Sequence, residues 1–114
     1  MPAYLVARVD VRDWTKYKEY MLHTPRVIAQ HGGHFIVRGG SKITLEGPED
    51  DLRLVVIEFP SVAHAQAFFH STEYGSIKRF REGAGEAQFV VVDGYPPEEW
   101  DAVVRESSKL SPDD

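Results

Sequence analysis

The chain of 114 residues contains no cysteine, which excludes disulfide bonds and thiolate chemistry. It has no apolar run approaching the roughly 18–20 residues that cross a membrane. Its first ten residues, MPAYLVARVD, also lack the basic region and long apolar stretch of a secretory signal peptide. We therefore expect a cytoplasmic protein with no membrane partner.

Positive charge is scarce as well. Thirteen lysines and arginines against 18 aspartates and glutamates give a formal net charge of −5. Nucleic-acid binding depends on a clustered basic surface, and the one basic cluster, Lys78, Arg79 and Arg81, is followed at once by Glu82. A solvated helix face is the simpler interpretation of this cluster, so no nucleic-acid partner is expected.

The chain contains a regular succession of strand and helix patterns. Apolar residues that alternate or run together, rich in β-branched side chains, predict four strands, at residues 3–11, 34–39, 52–59 and 86–95. Apolar residues at helical spacing predict helices, over residues 13–31, 62–71 and, after a break at 71–75, 76–83. The length fits one domain.

Capping residues and glycines mark where these elements begin and end. Asp13 is suited to cap the first helix. Pro25 then either kinks that helix or starts a second one capped by Thr24. The glycines at 32–33 predict the helix end, and those at 39–40 predict a bulge or bend where the second strand ends.

This order of elements is that of the α+β ferredoxin-like fold, βαββαβ, an antiparallel four-stranded sheet with both helices on one face. Right-handed crossovers are expected to make the first and third strands parallel neighbours at the centre, with the other two at the edges. The domain covers residues 1–95. Residues 96–114 are polar and acidic, which predicts a tail with a short helix over about 97–107 and a disordered end.

Both faces of this sheet are rich in apolar residues. One set of alternating positions is apolar throughout and is assigned to the helix side: Leu5, Ala7, Val9, Phe35, Val37, Val55, Ile57 and Phe59. The opposite set comprises Tyr4, Val6, Arg8, His34, Ile36, Arg38, Leu54, Val56 and Glu58. Because so large an apolar surface is seldom left exposed, we expect a second copy to cover it, which forms a dimeric α+β barrel about a two-fold axis.

The ionisable groups of the second face form a candidate polar cluster. With the first and third strands parallel, Arg8, His34 and Glu58 are expected at one end of the sheet and Arg38 at the other. A buried Glu58 needs a charged partner, which Arg8 would supply. The simpler interpretation is an ion pair that holds the dimer or sheet together. The alternative is a pair that orients a ligand beside the titratable His34, or a Glu58–His34 pair that acts as acid and base.

Other kinds of site find little support. The five histidines, at positions 23, 31, 34, 64 and 70, lack the helical spacing of a zinc motif, so no metal is expected. The stretch GGHFIVRGG matches no glycine-rich phosphate-binding pattern. No serine has the context of a nucleophile elbow, and Ser61 is better explained as a helix cap. Tyr17 and Tyr74, whose hydroxyls need partners when buried, could line the mouth of a pocket.

A concerted set of segments resembles one known family. These segments are AYLVARVDV, YKEY with Pro25 after it, AQHGGHFIVRGG, LVVIEFPS, AFFHSTEYGSIKRFREGA and FVVVDGY. Together they span residues 2–95 and resemble the domain-of-unknown-function family numbered 1330, within the dimeric α+β-barrel superfamily of ferredoxin-like proteins. The resemblance implies a homodimer whose sheets face each other around a cavity. It implies no reaction and no cofactor, and it does not extend to the tail.

The resemblance also ranks the candidate residues. Its recurrent positions include Tyr17, Arg38, Glu58, Ser61, Tyr74 and Arg79. Position 34 varies in the pattern, which favours Arg38, Glu58 and Tyr74 over His34 as functional residues.

The leading hypothesis is a protein that binds or transforms a small organic acid or carbonyl compound in a cavity near the interface between the sheet and the second copy. Arg38 or Arg8 would orient the ligand, and Glu58 would be the acid or base. The full set of pocket candidates is Arg8, Tyr17, His34, Arg38, Glu58, Ser61, Tyr74 and Arg79. The alternative is a non-catalytic dimeric protein whose polar residues are structural.

Overall fold

Four strands and four helices succeed one another in the structure, a computed structural model that describes residues 1–110. The strands are β1 (Ala3–Val11), β2 (His34–Arg38), β3 (Arg53–Phe59) and β4 (Gly85–Asp93). The helices are α1 (Trp14–Gln30), α2 (Val62–Phe69), α3 (Thr72–Lys78) and α4 (Pro97–Ser108), and a 3-10 turn covers Arg79–Arg81. Part of the predicted disordered end, residues 111–114, lies outside the described residues.

The four strands form one antiparallel sheet in the order β2-β3-β1-β4, which confirms the ferredoxin-like prediction. The prediction that β1 and β3 are parallel is wrong: they are central neighbours but antiparallel. The crossover through α1 makes β1 parallel to β2, and the chain then reverses into β3. In consequence Tyr4 lies opposite Glu58, whereas Arg8 lies opposite Leu54 near the other end of β3.

A bulge in β2 changes which side chains lie under the helices. The register of β2 with β3 shifts between Phe35 and Val37, so Ile36 is the extra residue. Because side chains alternate along a strand, one extra residue moves those that follow to the opposite face. The predictions that put Val37 on the helix side and Arg38 on the other face are therefore wrong: Arg38 lies opposite Val55, on the helix side.

Helix α1 begins and ends as its sequence predicts. The side chain of Asp13 accepts a hydrogen bond of 3.1 Å from the backbone N–H three residues on. At the other end, the N–H of Gly33 donates to the carbonyl of Ile28 and that of Gly32 to the carbonyl of Ala29, both at 3.0 Å. With Gly32 at φ 78°, this is a Schellman ending, which a residue with a Cβ adopts only under strain.

The helical segment after β3 differs from the prediction in its break. Instead of a break over 71–75, α2 ends at Phe69 and α3 begins at Thr72. The reason is Ser71, whose hydroxyl accepts the N–H of Tyr74 at 3.0 Å and so starts a new helix at once. Ser61 caps α2 in the same way, as predicted.

The core lies between α1, α2 and α3 and the sheet face that they cover, called the inner face below. The sheet contributes buried Leu5, Ala7, Val9, Val55, Ile57 and Phe59, and the helices Tyr17, Tyr20, Val27, Ile28, Ala65, Phe68, Tyr74 and Ile77. Burial of each large side chain contributes about 1.5–3 kcal/mol relative to exposure. This face therefore supplies the main drive for folding.

The opposite, outer face of the sheet carries an apolar row. Val90, Val6, Val56 and Val37 lie side by side across the four strands. Val90 is 50% exposed and Val37 is 37% exposed. The positions beside the row are mixed: Tyr4, Glu58 and His34 lie on one side with the apolar Val92, and Arg8 and Gln88 lie on the other with Leu54.

Helix α4 stands apart from this body. None of its residues is buried, and its apolar residues Trp100, Val103 and Val104 are exposed. The radius of gyration, 17.6 Å, exceeds the roughly 13 Å expected of a compact domain of this length. No helix in the described part of the chain is long and apolar enough to cross a membrane. The division of the chain at residue 95 stays a prediction.

Candidate functional site

A cavity opens between α1 and the inner face of the sheet. Its apolar wall consists of Met21, Ile28, Phe35, Val55, Ile57, Phe68 and Phe89, and its polar wall of Tyr17, Tyr20, Thr24, Arg38 and Arg53. The cavity has a volume of about 30 Å³, which is room for about two water molecules. The bulge in β2 builds this site, because it is what turns Arg38 inward.

Arg38 lies between β2 and α1. Its Nη2 donates to the carbonyl oxygen of Met21 at 2.8 Å, and its guanidinium carbon lies 4.4 Å from the centroid of the Phe35 ring. Both contacts hold the charged group against the cavity wall. One of five N–H groups is engaged by Met21, which leaves the others for a ligand.

Arg53 reaches the cavity from β3. It shares the inward alternation of Val55, and its guanidinium carbon lies 5.8 Å from the Trp14 ring centroid and 5.9 Å from that of Tyr17. Its Nε is buried and has no hydrogen-bond partner in the described chain. Gly39, at φ 68°, makes room for it, because a Cβ there would collide with the Arg53 guanidinium.

Three tyrosines and a further arginine continue inward from the cavity. The hydroxyls of Tyr20 and Tyr74 lie 2.7 Å apart, and the Arg81 guanidinium carbon lies 5.4 Å from the Tyr20 ring centroid. Burial, reinforced by Tyr74, raises the pKa of Tyr20 well above its ordinary value of 10.0. Burial also raises the pKa of Tyr17, against the opposing effect of Arg53. Both are therefore neutral phenols at physiological pH, able to donate or accept hydrogen bonds.

The positive charge at this cavity has no acidic counterpart. No aspartate or glutamate lines the cavity, and within residues 1–110 neither Arg38 nor Arg53 forms an ion pair. A guanidinium binds a carboxylate through charge-assisted and often bidentate hydrogen bonds. The arrangement can thus hold an anion beside an apolar wall.

Glu58 lies elsewhere, on the outer face. The hydroxyl of Tyr4 donates to Glu58 Oε1 at 3.2 Å, and Nε2 of His34 lies 3.3 Å from Oε2. The hydrogen bond to Glu58 raises the pKa of Tyr4. The predicted proximity of His34 and Glu58 is confirmed, but the pair faces away from the cavity.

Arg8 does not belong to this cluster. It lies four residues along β1 from Tyr4, a distance of about 13 Å, and its side chain is exposed. The predicted pairing of Arg8 with Glu58 within one chain is wrong, because it required parallel β1 and β3.

The remaining candidates lie in three different environments. Tyr74 is fully buried and does not line the cavity, but it packs against Tyr20 and Phe68, which do. Ser61 caps α2, with its Oγ 2.6 Å from Nδ1 of His64, and Arg79 is exposed. The cavity therefore brings together two of the eight predicted pocket residues, Tyr17 and Arg38. Residues 1–110 contain no group of three side chains suited to hold a metal ion.

Three residues of the site were missed in the sequence, namely Tyr20, Arg53 and Arg81. Arg53 had a readable signal, because it shares the alternation of Val55 and Ile57 and so points inward. Arg81 had none: its cluster predicted a solvated face, yet its guanidinium carbon lies 4.8 Å from the Phe89 ring centroid. Local sequence patterns do not reveal that these two residues pack against each other.

Solved structures share this fold. A protein of unknown function from Rhodopseudomonas palustris has a TM-score of 0.68 at 20% identity, over 84% of both chains. SnoaB, a cofactor-independent oxygenase from Streptomyces nogalater, has a TM-score of 0.57 at 11% identity, over 83% of this chain and 94% of SnoaB. A dimeric protein of unknown function and ferredoxin-like fold from Bacteroides fragilis has a TM-score of 0.52 at 9% identity, over 82% of this chain and 96% of that protein. At these identities the similarity shows the fold alone.

The family resemblance seen in the sequence is confirmed. The model of the family described as "Domain of unknown function (DUF1330)" matches residues 2–95. No curated protein matches the chain by sequence.

Proposed function

We propose that this chain, which belongs to the DUF1330 family, binds a small organic acid in the cavity between α1 and the sheet. Arg38 and Arg53 hold the carboxylate, and the aromatic and aliphatic wall contacts the apolar part of the molecule. The observation that carries the proposal is the pair of guanidiniums, without an acidic partner, beside an apolar cavity.

The chemistry of the wall favours an acid over a neutral carbonyl compound. A buried arginine N–H without a partner, such as Nε of Arg53, destabilises the chain until a ligand accepts from it. A carboxylate accepts with charge assistance and matches the planar fork of a guanidinium. A neutral carbonyl offers one oxygen and no charge, so it would bind more weakly.

The same wall supports binding better than acid–base catalysis. It contains no histidine and no carboxylate, and the phenols of Tyr17 and Tyr20 hold their protons because burial raises the pKa of both. Glu58, the expected acid or base, lies on the other face of the sheet. The role proposed for this cavity is therefore recognition of the ligand.

The test is a titration with matched acids and amides, in which binding is measured by isothermal titration calorimetry. We expect acetate or propionate, which are small enough for this cavity, to bind, and acetamide or propionamide to bind at least about tenfold more weakly. Arg53→Gln should weaken acid binding by a similar factor, whereas Arg26→Gln, at an exposed arginine elsewhere on α1, should leave it unchanged. The proposal fails if none of the acids binds, or if acids and amides bind equally.

We also propose that a second copy of the chain covers the outer face. The valine row supplies an apolar centre, and polar side chains lie beside it, with Tyr4, Glu58 and His34 on one side and Arg8 on the other. Interfaces between proteins also combine an apolar centre with polar side chains around it. A protein of the same fold from Bacteroides fragilis is described as dimeric, which supports an assembly of two copies.

A non-catalytic role for the polar residues is the second candidate function. Glu58 is paired by Tyr4 and His34 at the margin of the valine row, which favours a structural role at an interface. If the dimer forms and no acid binds, this second function replaces the first.

A further inference from the structure

We infer that Pro25 is a positioning residue for the anion site, because it leaves the carbonyl of Met21 without a helical donor and so able to accept a hydrogen bond from Arg38. The inference rests on the proposed function, in which Arg38 contacts the ligand. Pro25 lies inside α1, which runs without a break from Trp14 to Gln30.

The physical basis is the donor that proline lacks. In an α-helix the N–H of each residue donates to the carbonyl four residues earlier, and proline has no N–H. The carbonyl four residues before Pro25 is that of Met21. It accepts instead from Nη2 of Arg38 at 2.8 Å and, more weakly, from the hydroxyl of Thr24 at 3.4 Å.

The hydrogen bond from Arg38 to the Met21 carbonyl holds the long Arg38 side chain against helix α1. A partly exposed arginine has many rotamers, and fixing it costs conformational entropy when a ligand binds. The hydrogen bond to Met21 and the contact with the Phe35 ring fix the guanidinium before any ligand arrives. One N–H is used at the helix, and the remaining N–H groups stay free for a carboxylate.

Two features must coincide for this contact to form. The bulge at Ile36 turns Arg38 to the inner face, and Pro25 leaves an acceptor on α1 at the place that Arg38 reaches. Neither feature is needed for the ferredoxin-like fold itself. Pro25 is unfavourable within a helix, so its position calls for a compensating contact, and Arg38 provides one.

The first test replaces the missing donor. In Pro25→Ala the N–H of residue 25 can donate to Met21, so the thermal midpoint should rise while Arg38 is released. In protein labelled with ¹⁵N-arginine, the Nη resonances of Arg38 should be distinct and slowly exchanging in the wild type, and should broaden and exchange faster in the variant. Gln30→Ala, an exposed position on the same helix, is the control and should leave the Arg38 resonances unchanged.

A double-mutant cycle checks the same coupling without any ligand. Arg38→Gln leaves the Met21 carbonyl without its partner when residue 25 is proline, but not when it is alanine. The drop in thermal midpoint caused by Arg38→Gln should therefore be clearly smaller in the Pro25→Ala background. Equal drops in both backgrounds, or unchanged Arg38 resonances in Pro25→Ala, would overturn the inference.

Ligand binding separates this inference from the proposed function. Acetate affinity should fall several-fold in Pro25→Ala, because the entropy of fixing Arg38 is then lost on binding. If acetate fails to bind the wild-type protein, the proposed function fails, whereas the resonances and the cycle still decide whether Pro25 positions Arg38.

Discussion

A glycine decides where the charge of Arg53 can lie. The guanidinium occupies the space beside Gly39 where a Cβ would project, and the backbone there has φ 68°. Gly40, one residue on, has no atom within 4 Å of the position that a Cβ would occupy. The two neighbouring glycines thus differ in function although the sequence makes them look alike.

Gly39→Ala should both strain the backbone and displace Arg53. We expect a loss of about 1–2 kcal/mol in the free energy of unfolding from the left-handed conformation alone, together with weaker acetate binding. Urea denaturation and calorimetry measure the two effects. Gly40→Ala is the matched control and should change neither quantity appreciably. Equal effects of the two substitutions would contradict the proposed fit of Arg53 against Gly39.

At the scale of elements, the hydroxyl pair of Tyr20 and Tyr74 joins α1 to α3. This contact is made inside the core, so burial opposes ionisation of Tyr20. Burial and the neighbouring Tyr74 hold the pKa of Tyr20 well above its ordinary value of 10.0. The packing of the two helices therefore depends on a protonated phenol.

This dependence predicts a loss of stability at alkaline pH. The unfolded chain releases the Tyr20 proton near pH 10.0, whereas the folded chain retains it, so the unfolded state binds fewer protons above that pH. The free energy of unfolding should then be undiminished below pH 10 and fall as the pH rises through the raised pKa of the folded state.

Urea denaturation between pH 8 and pH 11, followed together with phenolate absorbance, measures this effect. Tyr20→Phe should lower stability at neutral pH by about 1 kcal/mol through the lost hydrogen bond and make the alkaline decline shallower. Tyr95→Phe, at a tyrosine that is 58% exposed, is the control and should keep the wild-type decline. An equally steep decline in Tyr20→Phe would exclude Tyr20 as its cause.

On the scale of the whole molecule, the outer face carries opposite charges on opposite sides of the valine row. Glu58 lies on one side and Arg8 on the other. A two-fold axis that runs along the row would place Arg8 of one copy over Tyr4 of the other, next to Glu58 on the neighbouring strand. The pair that cannot form within one chain would then form twice between two chains.

A charge exchange tests this arrangement of the dimer. Arg8→Glu should raise the dissociation constant of the dimer by about tenfold or more, because like charges then face each other. The double variant Arg8→Glu/Glu58→Arg should recover most of the affinity. Sedimentation velocity over a range of concentrations measures both, with Arg26→Glu on the helix side as the control.

Two results would contradict that arrangement of the assembly. A wild-type protein that is monomeric at micromolar concentration would exclude the dimer altogether. A stable dimer whose affinity is lost in Arg8→Glu and not recovered in the double variant would exclude an axis along the valine row.

Much of the fold follows from local patterns in the sequence. The alternation of Leu5, Ala7 and Val9, the caps Asp13 and Ser61, and the glycine ending of α1 depend only on residues close in the chain. Such signals act through the local backbone, so they predict the number, order and ends of the elements. They also predict an outer face whose apolar surface is too large to be left exposed to water.

The site depends on pairings between distant parts of the chain. Whether β1 and β3 are parallel decides if Arg8 can meet Glu58, and one bulged residue, Ile36, decides which face Arg38 occupies. The strand direction follows from the connections, because the crossover through α1 makes β1 parallel to β2 and the reversal into β3 makes β3 antiparallel to both. The bulge leaves no periodic signal in the sequence, since it is set by how β2 pairs with β3. The sequence by itself determined the ferredoxin-like architecture; the tertiary structure alone decided that Arg38 and Arg53 share a cavity, because hydrogen bonding between strands chooses the register and the register chooses the face.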